Sequence, residues 1–323
     1  MKTEELELIC TRIIDEAGKI FVTGNRESLK KILCGFLAGG HILFEDNPGL
    51  GKTLLVKVFA KSTGCDWNRI QFTPDLMPAD IVGTKVWKGN SNFEIEKGPI
   101  FTNFLLADEI NRAMPKTQSA LLEAMEERQV TIEGNTYKLG PLFTVMATQN
   151  PVEMEGTYPL PEAQMDRFIM KMSLGYLDSV EAESEILKRR ILWKRDDPTD
   201  DMKSAVLSKD LIMLKNEAEN IYVDENIIKY ITEIVRKTRS NANVRIGSSP
   251  RGGLALLKLA RAYAMINGRD FVIPDDVKTL AVDALSHRIM LKMECIIEGM
   301  NPDSVIKAVL NGVEIPKNYT RGM

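Results

Sequence analysis

The chain opens with apolar residues at helical spacing, Leu6, Ile9, Cys10, Ile13 and Ala17, which predict an amphipathic helix stopped by a Gly18-Lys19 turn. A short apolar hinge, Ile20 to Asn25, leads to a second helical face through Leu29, Ile32, Leu33 and Phe36, ended by Gly39-Gly40. The pattern then changes to short apolar runs. Ile42-Leu43-Phe44, Ile70-Gln71-Phe72, Phe104-Leu105-Leu106-Ala107 and Leu142 to Thr148 read as strands of a buried sheet. Between them, Leu54, Leu55, Val58 and Phe59 give one helix its buried face. Thr73 to Asp80 reads as a short capped helix interrupted by prolines, and Pro115 opens a helix faced by Gln118, Leu121, Leu122 and Met125.

Two stretches alternate instead. Val86, Phe93 and Ile95 flank a polar Gly89-to-Asn92 turn, a pattern equally compatible with a β-hairpin and with a solvent loop. Val130-Thr131-Ile132 and Thr136 to Leu139, around Gly134-Asn135, predict a second hairpin. After Gly175-Tyr176-Leu177 the strand pattern ceases. Helical faces follow at Ile186, Leu187 and Ile191; at Ile227, Ile228, Ile231, Ile234 and Val235; at Leu254, Leu257, Ala260 and Ala264; and at Val277, Leu280, Ala281, Ala284 and Leu285. A polar Asp196-to-Asp201 stretch interrupts them as a loop. The expectation is an α/β domain over 1–176, with hairpin inserts near 83–98 and 128–140, and a helical domain over 177–323.

Composition narrows the function classes. With 323 residues, 44% hydrophobic and 27% charged, the chain is a globular protein long enough for two domains. Its net charge of −3 offers no basic footprint for nucleic acid. No apolar run is long enough to span a bilayer, and the acidic, amphipathic start is no secretory leader, so a cytoplasmic protein without stable membrane insertion is expected. Cys10, Cys34, Cys65 and Cys295 lack metal-ligand spacing and suit a reducing compartment, while two histidines, His41 and His287, make a zinc site or a histidine triad a poor expectation.

The candidate chemistry sits where apolar runs end. Asp46-Asn47-Pro48-Gly49-Leu50-Gly51-Lys52-Thr53 follows the first strand as a phosphate-binding loop would: backbone N–H groups turn inward and the next helix adds its positive end. Lys52 then reaches the β and γ phosphates, and the Thr53 hydroxyl holds Mg2+. Asp46 stands where the strict pattern has glycine. Asp tolerates left-handed backbone angles, so the turn survives if the carboxylate faces away from the phosphates. Asp108 and Glu109 end another strand, where Asp108 can hold the water shell of Mg2+ and Glu109 can polarise the attacking water; alternatively the pair caps the next helix. Asn150 either orients that water or caps the loop before Pro151. Arg167 reads, on its own, as an ion-pair partner of Asp166. Arg251, after Ser249-Pro250, sits at a helix N-terminus where an anion is welcome, or is a plain surface arginine.

The order of these motifs resembles an AAA+ ATPase of the MoxR type. The residues that carry the resemblance are the Asp46-to-Thr53 loop, Ala107-Asp108-Glu109-Ile110-Asn111-Arg112-Ala113, Ala147-Thr148-Gln149-Asn150-Pro151, Gly156 to Phe168, and Gly247-Ser248-Ser249-Pro250-Arg251. It implies a P-loop α/β/α nucleotide domain with a parallel sheet, an all-α lid, and ATP with Mg2+ as ligands. ATP hydrolysis would use Glu109 as catalytic base, Asn150 as sensor 1, Arg167 as a finger reaching the neighbouring subunit's nucleotide, and Arg251 as sensor 2. Asn47, Pro48, Gly49, Leu50, Gly51, Lys52, Thr53 and Leu54 would contact the phosphates, and Val22 to Gly24 fall where such proteins contact adenine. A homo-oligomeric ring, usually hexameric, is implied, with a von Willebrand factor A-domain protein and a client protein complex as partners in a chaperone-like role. A metal-chelatase motor subunit and a nucleotide-gated scaffold with little hydrolysis are the alternatives.

Overall fold

The computed structural model describes residues 3–22, 26–87, 93–151, 156–177 and 179–320. Helices α1 (Thr3–Ile20) and α2 (Arg26–Leu37) precede strand β1 (Ile42–Glu45). Next come α3 (Lys52–Thr63), β2 (Trp67–Gln71), β3 (Phe104–Asp108), α4 (Pro115–Glu127), β4 (Thr144–Gln149) and β5 (Met170–Met172). The five strands form one sheet in the order β2-β3-β4-β1-β5, all neighbours parallel.

The period-two alternation of strands divides their side chains between two cores. Ile42 and Phe44, Phe104 and Leu106, Met146 and Met170 pack toward α1, α2 and α3. Leu43, Leu105, Ala107, Val145 and Ala147 pack toward α4, with Leu121, Leu122 and Met125. Because both faces are covered, the strands read as continuous apolar runs in the sequence. The α1 helix runs through the expected Gly18-Lys19 turn to Ile20, and Phe21 N still donates to Ala17 O at 2.9 Å.

Both alternating stretches are antiparallel hairpins. Gly83–Trp87 pairs with Phe93–Lys97, and Gln129–Ile132 pairs with Asn135–Lys138. The Gly89-to-Asn92 turn of the first lies outside the described residues.

After β5 come α5 (Val180–Trp193), α6 (Ser208–Ala218), α7 (Glu225–Ser240), α8 (Pro250–Ile266), α9 (Pro274–Leu285) and α10 (Pro302–Gly312). They form a helical lid that also carries a short antiparallel pair, Val244–Ile246 with Met290–Leu291. The core shared by α1, α2 and α3 continues into these helices without a break. Cys34 Sγ, for example, donates to Leu259 O across that boundary at 3.0 Å. Some residues on the expected helical faces point outward. Ile228 and Leu254 are exposed because the α7 core face runs through Ile227, Tyr230, Ile231, Ile234 and Val235, and that of α8 through Ala255, Leu256, Leu259 and Ala260. The α5 helix buries none of its residues; Ile186, Leu187 and Ile191 are all exposed. All four cysteines are free and buried.

Candidate active site

The turn between β1 and α3 uses glycine where its backbone requires it: Gly49 has φ 88° and Gly51, which precedes the first turn of α3, has φ 75°. Asp46 is not among the residues with positive φ, so left-handed tolerance is not the reason an aspartate stands there. Its carboxylate does face away from the hollow of the loop. It accepts hydrogen bonds from Ser173 Oγ at 2.6 Å, Leu174 N at 2.9 Å and Gly175 N at 3.2 Å. Lys52 Nζ donates to the main-chain oxygens of Asp46 (2.9 Å) and Asn47 (3.2 Å). Burial lowers the Lys52 pKa, against the opposing pull of the Asp46, Asp108 and Glu109 carboxylates.

The parallel register of β2, β3 and β4 assembles the second half. Asp108 Oδ1 accepts from Thr148 Oγ1 at 2.6 Å, and Oδ2 accepts from Arg69 Nη2 at 2.7 Å. Glu109 lies in the left-handed region, φ 56°, and its N–H donates to Thr148 Oγ1 at 2.8 Å. Its Oε2 accepts from the Gln71 amide at 2.7 Å and pairs with Arg112 at 2.9 Å. Neither acid caps a helix: Glu109 precedes the short turn Ile110–Arg112 with no side-chain cap bond, and Asp108 is committed to Thr148 and Arg69. Asn150 is buried just past β4.

Lys52, Thr53, Asp108, Glu109 and Asn150 thus line one cavity of about 470 Å³, together with Pro48 to Gly51 and Leu54. Asn47 faces elsewhere and donates its side-chain amide to Tyr176 OH at 3.3 Å. A neighbouring cavity of about 570 Å³ shares Gly49, Leu50, Gly51 and Leu54 with the first. It is walled by Ile20, Phe21 and Val22 on one side and by Leu174, Tyr176 and Leu177 on the other. Val22 is therefore placed beside the loop, while Gly24 lies outside the described residues. Thr53 and Asp108, which both line this cavity, carry hard oxygen donors of the kind that suits Mg2+. Among the described residues no group of three His, Cys, Asp or Glu side chains could hold a metal, so an ion here would draw its other ligands from phosphate and water.

The two arginines assemble elsewhere. Arg167 does not pair with Asp166; it pairs with Glu126 at 2.7 Å, whereas Asp166 pairs with the buried Arg288 at 2.6 Å. Arg251 does start α8, where Ser249 Oγ accepts its N–H, and its guanidinium takes the other Glu126 oxygen at 2.5 Å. Arg167, Arg251, Glu126, Asp166 and Arg288 line a third cavity, with Gly39, Gly40 and His41, that shares no residue with the phosphate-loop cavity. The two cavities lie at opposite ends of β1, about 16 Å apart over the five residue steps from His41 to Asp46. Sequence reading missed Arg69, Gln71, Thr148 and Glu126. Gln71 and Thr148 stand at strand ends, the one signal that marked them; Arg69 and Glu126 carry none.

A family model described as "ATPase family associated with various cellular activities (AAA)" matches residues 41–170, and one described as "AAA lid domain" matches 236–309. The chain is 46% identical to Uncharacterized protein YeaC of Bacillus subtilis, covering 97% of each. It is 42% identical to Chaperone MoxR1 of Mycobacterium tuberculosis over 95% of this chain and 82% of the relative. A crystal structure from Cytophaga hutchinsonii, named as that of a "putative ATPase", superposes with a TM-score of 0.90 at 44% identity, covering 98% of this chain and 97% of the other.

Proposed function

The chain belongs to the MoxR-type AAA+ ATPases, and on that premise we propose that it hydrolyses ATP with Mg2+ between the subunits of a homo-oligomeric ring, expected to be a hexamer. The nucleotide domain covers 1–176 and the lid 177–323. The observation that carries this reading is the convergence of Lys52, Thr53, Asp108, Glu109 and Asn150 on one cavity. In it Lys52 neutralises the β and γ phosphates and Thr53 holds Mg2+, with Asp108 acting through water. Glu109 takes the proton of the attacking water that Asn150 orients. Arg167 and Arg251, at the far end of β1, are too distant to serve the same subunit's phosphates, which supports both acting in trans on a neighbour's nucleotide.

The likeness to a protein named as a chaperone supports a remodelling or maturation role toward client protein complexes. A von Willebrand factor A-domain partner and a cytoplasmic setting are part of the same proposal. Among the described residues no helix is long and apolar enough to cross a membrane. The test is phosphate release with Mg2+ and ATP. Glu109→Gln should bind ATP like the parent yet turn over at least about 100-fold more slowly; hydrolysis at the parental rate would remove Glu109 from the reaction.

A further inference from the structure

We propose that Asp46 is a positioning residue that fixes the base-side wall of the nucleotide site to the phosphate loop; this rests on the nucleotide reading above. A buried carboxylate needs its oxygens satisfied. Asp46 is 4% exposed, and its acceptor capacity is taken up by Ser173, Leu174 and Gly175, 127 to 129 residues away. These three lead from β5 to α5, and the same segment supplies Leu174, Tyr176 and Leu177 to the wall of the cavity beside the loop. A second tie repeats the connection one residue on, from the Asn47 amide to Tyr176 OH.

Asp46 joins two functions in one residue. Its main-chain oxygen receives the Lys52 ammonium, the group assigned to the phosphates, while its side chain receives the segment that walls the base. Asp46 N also donates to Gln149 O at 3.2 Å, so the junction is anchored on β4. A glycine here would keep the turn, since φ is not left-handed, and would lose every tie to Ser173, Leu174 and Gly175. The aspartate is therefore a device for registering the base pocket against the phosphates, and restoring the strict phosphate-loop glycine should harm the site.

The experiment compares the full chain with Asp46→Gly, Asp46→Asn and Lys52→Ala, all checked for native circular dichroism. The probes are a fluorescent ADP, the matching GDP and inorganic tripolyphosphate. Losing charged hydrogen bonds, Asp46→Gly should bind the ADP about tenfold or more weakly, with reduced preference over GDP, while tripolyphosphate affinity moves less than about threefold. Asp46→Asn keeps the Oδ1 acceptor for Ser173 and Gly175 but turns an amide donor toward Leu174 N, so its ADP affinity should fall between those of the parent and Asp46→Gly. Amide hydrogen exchange over 173–177 should accelerate most in Asp46→Gly, which loses all the side-chain acceptors. Parental ADP binding and unchanged exchange in Asp46→Gly overturn the proposal. So does an equal loss of tripolyphosphate binding, which would make Asp46 a general support of the loop. A failure of the nucleotide reading shows separately, as a Lys52→Ala variant that binds all probes like the parent.

Discussion

The side-chain amide of Gln71 donates to Oε2 of Glu109 at 2.7 Å, from the end of the strand adjacent to the one that carries the acid. The carboxylate expected to take a proton from water is thus held at Oε2, by Gln71 and by Arg112; its lone pairs are not all used, so Gln71 restrains how the group can turn toward a water without blocking the proton. Gln71→Ala should raise kcat for ATP severalfold, about two- to tenfold for one hydrogen bond, with little change in KM. Steady-state phosphate release settles this; an unchanged or lowered kcat means that Gln71 does not restrain Glu109.

Arg69 pairs with Oδ2 of Asp108, the carboxylate proposed to act on Mg2+ through water, and so competes for that carboxylate. The pair is partly exposed, so its worth is modest. Arg69→Ala should lower the Mg2+ concentration for half-maximal ATP turnover about two- to fivefold, measured at fixed ATP. A rise instead would make Arg69 a phosphate ligand rather than a competitor for Asp108.

Arg167 and Arg251 share one carboxylate, Glu126, away from the phosphate loop. Arg167→Ala should cost roughly 10³-fold in turnover if it acts as a finger. Mixed with Lys52→Ala, it should regain activity, because some interfaces then pair an intact loop with an intact arginine. The same mixture with Arg251→Ala should behave alike. If rings form and no ratio recovers activity, the arginines work in cis.

Both histidines are buried and neutral at pH 7. His41 Nδ1 accepts from Val145 N at 2.9 Å, and its Nε2 lies 3.1 Å from Met125 O. Burial, aided by Arg128, lowers the His41 pKa to about 3, and burial lowers that of His287 well below the usual value. A depressed histidine pKa means that the unfolded chain binds the proton first. Stability is therefore complete above pH 6.5 and falls as pH drops from 6.5 toward 3. Between pH 6.5 and 5 His41 should remove about 2 kcal/mol, and His287 acts in the same direction. Burial raises Asp276 and Asp283, which opposes this loss, so the comparison is with His41→Gln, which can keep both hydrogen bonds. Denaturant titrations should show a steeper loss in the parent; equal slopes would mean that His41 titrates normally.

The strands, most helical faces, the phosphate loop and the Asp108-Glu109 pair were legible because each is written in a local run of residues. The restraints on those residues were not. Gln71 and Glu109, Arg69 and Asp108, or Glu126 and Arg167 are 38 to 41 residues apart and meet only through sheet order and the packing of Arg167, just past the short helix Glu162–Met165, against α4. Asp46 shows the limit most clearly. Its substitution for glycine was visible as a departure in a turn, yet its cause is a set of donors beyond residue 172. The α5 helix failed in the other direction: its apolar spacing promised a core face that the fold leaves uncovered.

The four buried cysteines carry a practical consequence. Burial pushes the Cys10 thiol up to about 12 and raises those of Cys34 and Cys65, and Cys295 is 9% exposed. Maleimides react with thiolates, so the native chain is a nearly silent background for labelling. A dye on a cysteine placed at the exposed Tyr176 position could follow that segment in solution without first stripping the natural thiols from the core.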